Sequence, residues 1–139
     1  MAEKLWNGIH NDHIVRVTYR DTDRMGYAYY ANYLVWFEMG RAELLRQSGH
    51  TYDEFEEQGY ILPVVRCVCE YRKPARYDDL IRIRTKISRM TPVTIIFEYE
   101  ISGEKTGEIL ARGETKHAIL TREGRIARAG KILEEWFKE

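Results

Sequence analysis

The sequence predicts an α+β domain in which a curved antiparallel sheet wraps one long helix. Three observations predict it: a strand-period segment near the start, a long helical pattern after it, and four further strand-period segments in series. No linker, repeat or low-complexity tract divides residues 1–139, so a single domain is expected. A chain of this length buries roughly 68–70% of its unfolded surface and can hold a core without staples.

In order, His13–Asp21 sets Val15, Val17 and Tyr19 on one side against Ile14, Arg16, Thr18 and Arg20, the alternation of a half-buried strand. From Asn32 to Ser48 the apolar spacing becomes helical through Leu34, Phe37, Leu44 and Leu45, with Val35, Met39 and Ala42 on the flank and Gly49 as the stop. So much of the girth is apolar that an enclosed helix is expected. Thr51–Gln58 reads as a second helix, with Thr51 as N-cap and Glu54 completing a capping box.

Strands over Ile61–Tyr71, Leu80–Arg89, Val93–Ser102 and Glu108–Leu120 are expected as a meander, with a short helix over Ala129–Phe137 at the end. In the middle pair, Ile81, Ile83, Thr85 and Ile87 and then Val93, Ile95, Phe97, Tyr99 and Ile101 form an apolar face. A three-residue loop at Met90, Thr91 and Pro92 would set Arg89 opposite Val93, Arg84 opposite Glu98 and Arg82 opposite Glu100, with Arg112 on the other side of Glu98.

The 22 basic and 22 acidic residues cancel, which argues against long-range attraction to nucleic acid or an anionic membrane and leaves any phosphate grip local. Cys67 and Cys69 lack CxxC spacing, so a reducing cytosol is expected. No run approaches the roughly 18 apolar residues of a membrane span. Met1–Gly8 lacks a signal-peptide core, and a soluble cytoplasmic protein is expected. His10, His13, His50 and His117 are scattered without metal-ligand spacing, so no metal is expected. GxSxG, GxGxxG and phosphate-loop patterns are missing, which argues against a nucleophile-elbow hydrolase or a nucleotide enzyme.

The chemistry concentrates in YRDTDRMGYAYYANY, Tyr19–Tyr33. D-x-D-x-x-G would open a calcium loop, but Met25 and Asn32 stand where ligands are required. The plainest reading makes Asp21 and Asp23 turn formers, with Gly26 in a backbone conformation other residues avoid. The location adds a second reading. A loop entering a helix presents free N–H groups, and a carbonyl carbon between those groups and an aspartate has the oxyanion site and the base or nucleophile that acyl hydrolysis requires.

YRDTDRMGYAYYANYLVWFEMGRAELLRQSG resembles the signature of the hotdog-fold acyl-CoA thioesterases, in the branch of 4-hydroxybenzoyl-CoA thioesterase and the Tol-Pal-associated thioesterases. LPVVRCVCEYRKPARYDDLIRIRTKI and ARGETKHAILTREGR resemble the strands that follow in that family, with its Tyr-x-x-Pro-Ala and paired aspartates. The resemblance implies a hotdog fold and acyl-CoA hydrolysis. It places the catalytic carboxylate at Asp23, as nucleophile or as general base toward water, and the oxyanion donor at the backbone N–H of Tyr30, where part of the family carries histidine. Gly26 would set the turn. Tyr27, Tyr29, Tyr33 and Asn32 would surround the substrate, Asn32 and Tyr33 chiefly by securing the helix start. Glu38 is expected to pair with Arg41.

For the coenzyme phosphates the resemblance points to Arg89 at the hairpin, although Pro92 and Val93 stand where some relatives are basic; Arg122, Arg125 and Arg128 could substitute. No cofactor is implied, because coenzyme A is part of the substrate. Homodimers, often assembled into homotetramers with the site between subunits, are implied as well. A non-catalytic acyl-CoA or small-ligand binding module and a protein-contact adaptor are the competing classes.

Overall fold

The computed structural model describes residues 8–138; of the segment Met1–Gly8 read above for a signal-peptide core, residues 1–7 lie outside the description. Strand β1 (His10–Arg16) leads to helix α1 (Asn32–Gln47) and helix α2 (Tyr52–Glu57). Strands β2 (Tyr60–Ile61), β3 (Val64–Tyr71), β4 (Leu80–Met90), β5 (Thr94–Gly103), β6 (Ile109–Ala118) and β7 (Leu120–Thr121) follow, then helix α3 (Gly130–Trp136). The main sheet is antiparallel and five-stranded in the order β1-β4-β5-β6-β3, and β2 pairs with β7 in a separate ribbon.

Several expectations are corrected. The first strand ends at Arg16 because Asp21 Oδ2 accepts from both the N–H and the hydroxyl of Thr18 at 2.9 Å, closing a 3-10 turn over Tyr19–Asp21. Tyr19, inward by alternation, is therefore 80% exposed. The predicted strand Ile61–Tyr71 is two pieces separated at Leu62 and Pro63. Only β4, β5 and β6 form a meander; β3 crosses to the far edge and pairs with β6.

Register differs as well. Arg84 faces Glu100, Arg82 faces Ser102, and Arg112 faces Glu100. The hairpin loop is longer than predicted, closed by Thr91 N–H to Thr94 O at 2.9 Å, and a bulge between Ile87 and Arg89 takes back one residue. The net slip is two, which preserves the face of every side chain. Ile81, Ile83, Thr85 and Ile87 are thus buried beside Ile95, Phe97, Tyr99 and Ile101 as the alternation required.

Helix α1 lies across this apolar face and buries Tyr33, Trp36, Phe37, Gly40, Leu44 and Leu45. It is not enclosed within the chain: Leu34, Val35 and Met39 stay exposed on its other side. Phe37 stacks on Tyr99 with ring centroids 4.3 Å apart, and it lies so close over Gly113 that a Cβ there would meet the ring at 2.2 Å. Gly49 ends α1 at φ 92. Thr51 Oγ1 caps α2 by accepting from Glu54 N–H at 3.4 Å, but Glu54's carboxylate turns to His50 Nδ1 at 2.8 Å instead of closing the predicted box.

On the outer face, Arg84 holds Asp12 through two bonds of 2.8 and 2.9 Å and keeps that carboxyl below its usual range. Lys86–Glu98, Arg112–Glu100 and Arg66–Glu114 pair alongside at 3.5, 3.2 and 3.1 Å. Exposed pairs of this kind contribute about 0–1 kcal/mol each.

Candidate active site

Three segments meet at one end of the sheet: the turn before α1, the tail of β3, and the connector from Arg72 to Asp79. Asp23 folds the turn over itself, donating its N–H to Tyr27 O at 2.8 Å and accepting from Gly26 N–H at 3.1 Å, while Gly26 takes φ 78. The connector is stitched to this turn by Ala28 N–H to Ala75 O at 2.8 Å and Tyr77 N–H to Gly26 O at 3.1 Å. Asp21 O gathers the N–H of Tyr29 and the Nδ2 of Asn32, both at 2.7 Å, and so fixes the approach to the helix.

The side chain of Asp23 divides its duties. Oδ1 accepts from Met25 N–H at 2.8 Å and Tyr27 N–H at 3.2 Å, the Asx-turn bonding expected of a turn former. Oδ2 has no hydrogen-bond partner among the described residues. Asp23 lines a cavity of about 310 Å³ together with Tyr27, Tyr30, Tyr33, Tyr71, Arg72 and Lys73. The Tyr30 N–H, just ahead of α1, likewise meets no acceptor among the described residues. One wall therefore offers a carboxylate oxygen, and the same cavity is bounded by a residue whose backbone donor is unclaimed.

Tyr33 is buried, accepts from Ala75 N–H at 3.1 Å, and packs edge-on against Tyr71 with centroids 4.9 Å apart. Burial raises the phenols of Tyr33 and Tyr71, so Tyr71 stays a donor and gives its proton to Tyr30 O at 2.8 Å. That bond ties β3 to the start of α1 and holds the Tyr30 peptide in place.

The remaining candidates fall elsewhere. Tyr29 is exposed against the Tyr30 ring, with centroids 4.6 Å apart, and does not line the cavity. Asn32 is spent on Asp21 O. Arg89 sits nine residues along β4 from Leu80, roughly 30 Å at about 3.3 Å per residue, so one chain does not bring it to Asp23. Arg122 donates to Glu56 O and does not line the cavity. Arg41 reaches Tyr99 Oη at 3.4 Å, and Glu38 forms no ion pair among the described residues.

Sequence reasoning missed Tyr71, Arg72, Lys73 and Arg76, all within YRKPAR, which read only as a strand tail and a familiar motif. The signal was their density of cation and phenol next to a proline-fixed bend. The paired aspartates after it are structural: Asp79 Oδ2 accepts from Arg76 N–H at 2.9 Å, and Asp78 holds φ 70 while its N–H meets Val17 O at 2.9 Å. Among the described residues no cluster of His, Cys, Asp or Glu could hold a metal. A larger hollow of about 600 Å³ lies on the outer sheet face, where Arg84, Lys86 and Arg112 already pair with Asp12, Glu98 and Glu100.

A helix cradled by an antiparallel sheet, with a carboxylate in the turn before it, is the hotdog architecture of a thioesterase-like protein. Residues 17–137 match the Thioesterase-like superfamily, and the chain belongs to it. It is 33% identical over 109 residues to YneP of Bacillus subtilis, covering 78% of each chain. It is 38% identical over 88 residues to the acyl-CoA thioesterase YbgC of Haemophilus influenzae, covering 63% of this chain and 65% of the relative. The structure of DHNA-CoA thioesterase from Staphylococcus aureus superposes with a TM-score of 0.84 at 27% identity, covering 91% of this chain and 85% of that one.

Proposed function

We propose that the protein hydrolyses the thioester of a small acyl-CoA, short-chain, medium-chain or aromatic, and that Asp23 performs the first step. The observation that carries this reading is a cavity lined by both Asp23, whose Oδ2 is unengaged, and Tyr30, whose backbone N–H is unclaimed among the described residues. As nucleophile, Oδ2 adds to the carbonyl carbon, the oxyanion is received by the Tyr30 N–H, and collapse expels the coenzyme thiolate to leave a mixed anhydride that water cleaves. As base, Oδ2 takes a proton from the water that attacks instead. The oxyanion donor contributes about 2.7–4 kcal/mol to either transition state. Acyl-CoA thioesterases among the relatives support the substrate class.

We also read the active form as a homo-oligomer. β3 leaves one backbone edge unpaired and carries exposed Val64 and Val65, and α1 leaves Leu34, Val35 and Met39 uncovered.

The test is free-thiol release from a panel of acyl-CoAs by wild type and Asp23→Asn. Asparagine keeps the Oδ1 that accepts from Met25 and Tyr27, so thermal melting should be unchanged while kcat falls about 10²–10⁴-fold. Equal release by the two proteins defeats the assignment of Asp23, and no release by wild type with retained acyl-CoA binding moves the protein to the binding class.

A further inference from the structure

We propose that Tyr71 is a positioning residue for thioester hydrolysis, acting through its hydrogen bond to Tyr30 O; this rests on the reading of the Tyr30 N–H as the oxyanion donor. Two peptide units meet at the Tyr30 Cα, and each is held by its oxygen. Tyr29 O, in the unit that carries the Tyr30 N–H, accepts from Asn32 N–H at 2.9 Å. Tyr30 O, in the next unit, accepts from Tyr33 N–H at 3.3 Å and from Tyr71 Oη at 2.8 Å. Asn32 and Tyr33 belong to the first turn of α1 itself. Among the described residues, Tyr71 is therefore the donor that fixes this corner relative to the sheet, and its bond is the shortest of the three.

The strand end delivers the phenol to a defined place. Alternation sets Cys67, Cys69 and Tyr71 on one face of β3, Tyr71 pairs with Ala111 of β6, and Arg72 N–H donates to Leu110 O at 2.8 Å. The Tyr71 ring rests edge-on against Tyr33, whose own hydroxyl takes the Ala75 N–H at 3.1 Å. Ring and hydroxyl thus have separate tasks: the ring packs, and the hydroxyl reaches a backbone oxygen. A carbonyl only accepts, so the phenol must keep its proton to make this bond. Burial, with the Cys69 thiol beside it, pushes the phenol above its usual range and keeps that proton on.

An oxyanion donor acts only where it meets the developing charge, and a small displacement costs turnover without costing ground-state binding. The turn that carries Asp23 has its own ties to the connector after β3, through Ala28 N–H to Ala75 O and Tyr77 N–H to Gly26 O. The bond from Tyr71 gives the Tyr30 corner a tie to the residue that begins this same connector. Carboxylate and donor are thereby referred to one piece of backbone. Without the hydroxyl, the Tyr30 corner is held by its own segment alone, and the two sides of the cavity lose their common reference.

The experiment is Tyr71→Phe, which removes the hydroxyl and keeps the ring. Thiol release should show kcat down about tenfold with KM within about twofold, a pH–rate profile parallel to that of wild type, and little change in melting temperature. Amide relaxation should show lower order parameters at Tyr30 and Ala31. A raised KM at unchanged kcat overturns the proposal, since Tyr71 would then be a substrate contact. A lowered melting temperature at unchanged kinetics overturns it as well, because the bond would serve the fold alone. Loss of the basic limb of the pH profile overturns it too, because the phenol would be moving a proton. Wild type that releases thiol, with Tyr71→Phe equal to it, defeats this proposal alone; wild type that releases none defeats the oxyanion reading beneath it.

Discussion

His117 titrates from inside the core, 1% exposed, and its partners fix its tautomer. The Leu62 carbonyl, 2.9 Å from Nδ1, can only accept, so Nδ1 carries the proton. Nε2 then accepts from the Thr115 hydroxyl at 2.9 Å, Thr115 accepts from Tyr99 at 2.6 Å, and Arg41 donates to Tyr99 from 3.4 Å. Every donor in this chain has one acceptor, and a proton on Nε2 would break it. Burial first, with Arg41 adding, pushes the imidazole down to about 4 from 6.5. The unfolded chain therefore binds the extra proton between those values, so stability is full above pH 6.5 and is lost as pH falls toward 4, by about 3 kcal/mol in all. Asp12, held low by Arg84, loses its contribution only below about pH 3.8, outside this window. Urea midpoints between pH 7 and 5 should fall for wild type; a His117→Gln variant with the same slope would remove the imidazole as the cause.

At the scale of elements, α1 presses on β4 at Gly40. A Cβ there would stand 2.2 Å from Thr85 Oγ1 and 2.9 Å from Ile83 Cγ2, and Thr85 Oγ1 is buried without a hydrogen-bond partner. Alanine gains about 1 kcal/mol of helix propensity over glycine, but it must push the helix off the sheet, and overpacking costs about 1–3 kcal/mol. Gly40→Ala should therefore destabilise the fold, and Gly40→Ala/Thr85→Ala should be less destabilised than the sum of the single changes, because the second removes the clashing atom. A double-mutant cycle in urea reads this coupling; strict additivity would mean the helix and strand do not meet as described. The sequence announced both elements and their faces, since a two-residue slip preserves parity. It did not announce Gly40, because a close approach depends on which strand the helix crosses. Nor could it give the rungs of β4 and β5, because a bulge at Ile87 and a longer loop are set by packing at the far end.

Across the whole molecule, what was legible was local. Asn32 and Gly49 bounded the helix and alternation marked the strands, whereas the edge position of β3 depends on pairings far apart in the chain. The site divides in the same way. Asp23 and Gly26 announced a turn, and resemblance singled out Asp23 and Tyr30, but the joining of Tyr71 and Arg72 to that cavity needed the crossing of β3. That crossing leaves an apolar, unpaired edge on β3, where Val65 is 58% exposed. Two copies meeting along this edge would cover Val65 and extend the sheet. Light scattering should then give twice the 16.5 kDa chain mass or a higher even multiple. Val65→Asp should shift the protein toward monomer by placing a charge in the contact, and Ile126→Asp, exposed outside it, should not. A site completed by its neighbour would lose thiol release in step with dissociation. A wild type that is monomeric at micromolar concentration and fully active would show that the cavity of one chain suffices.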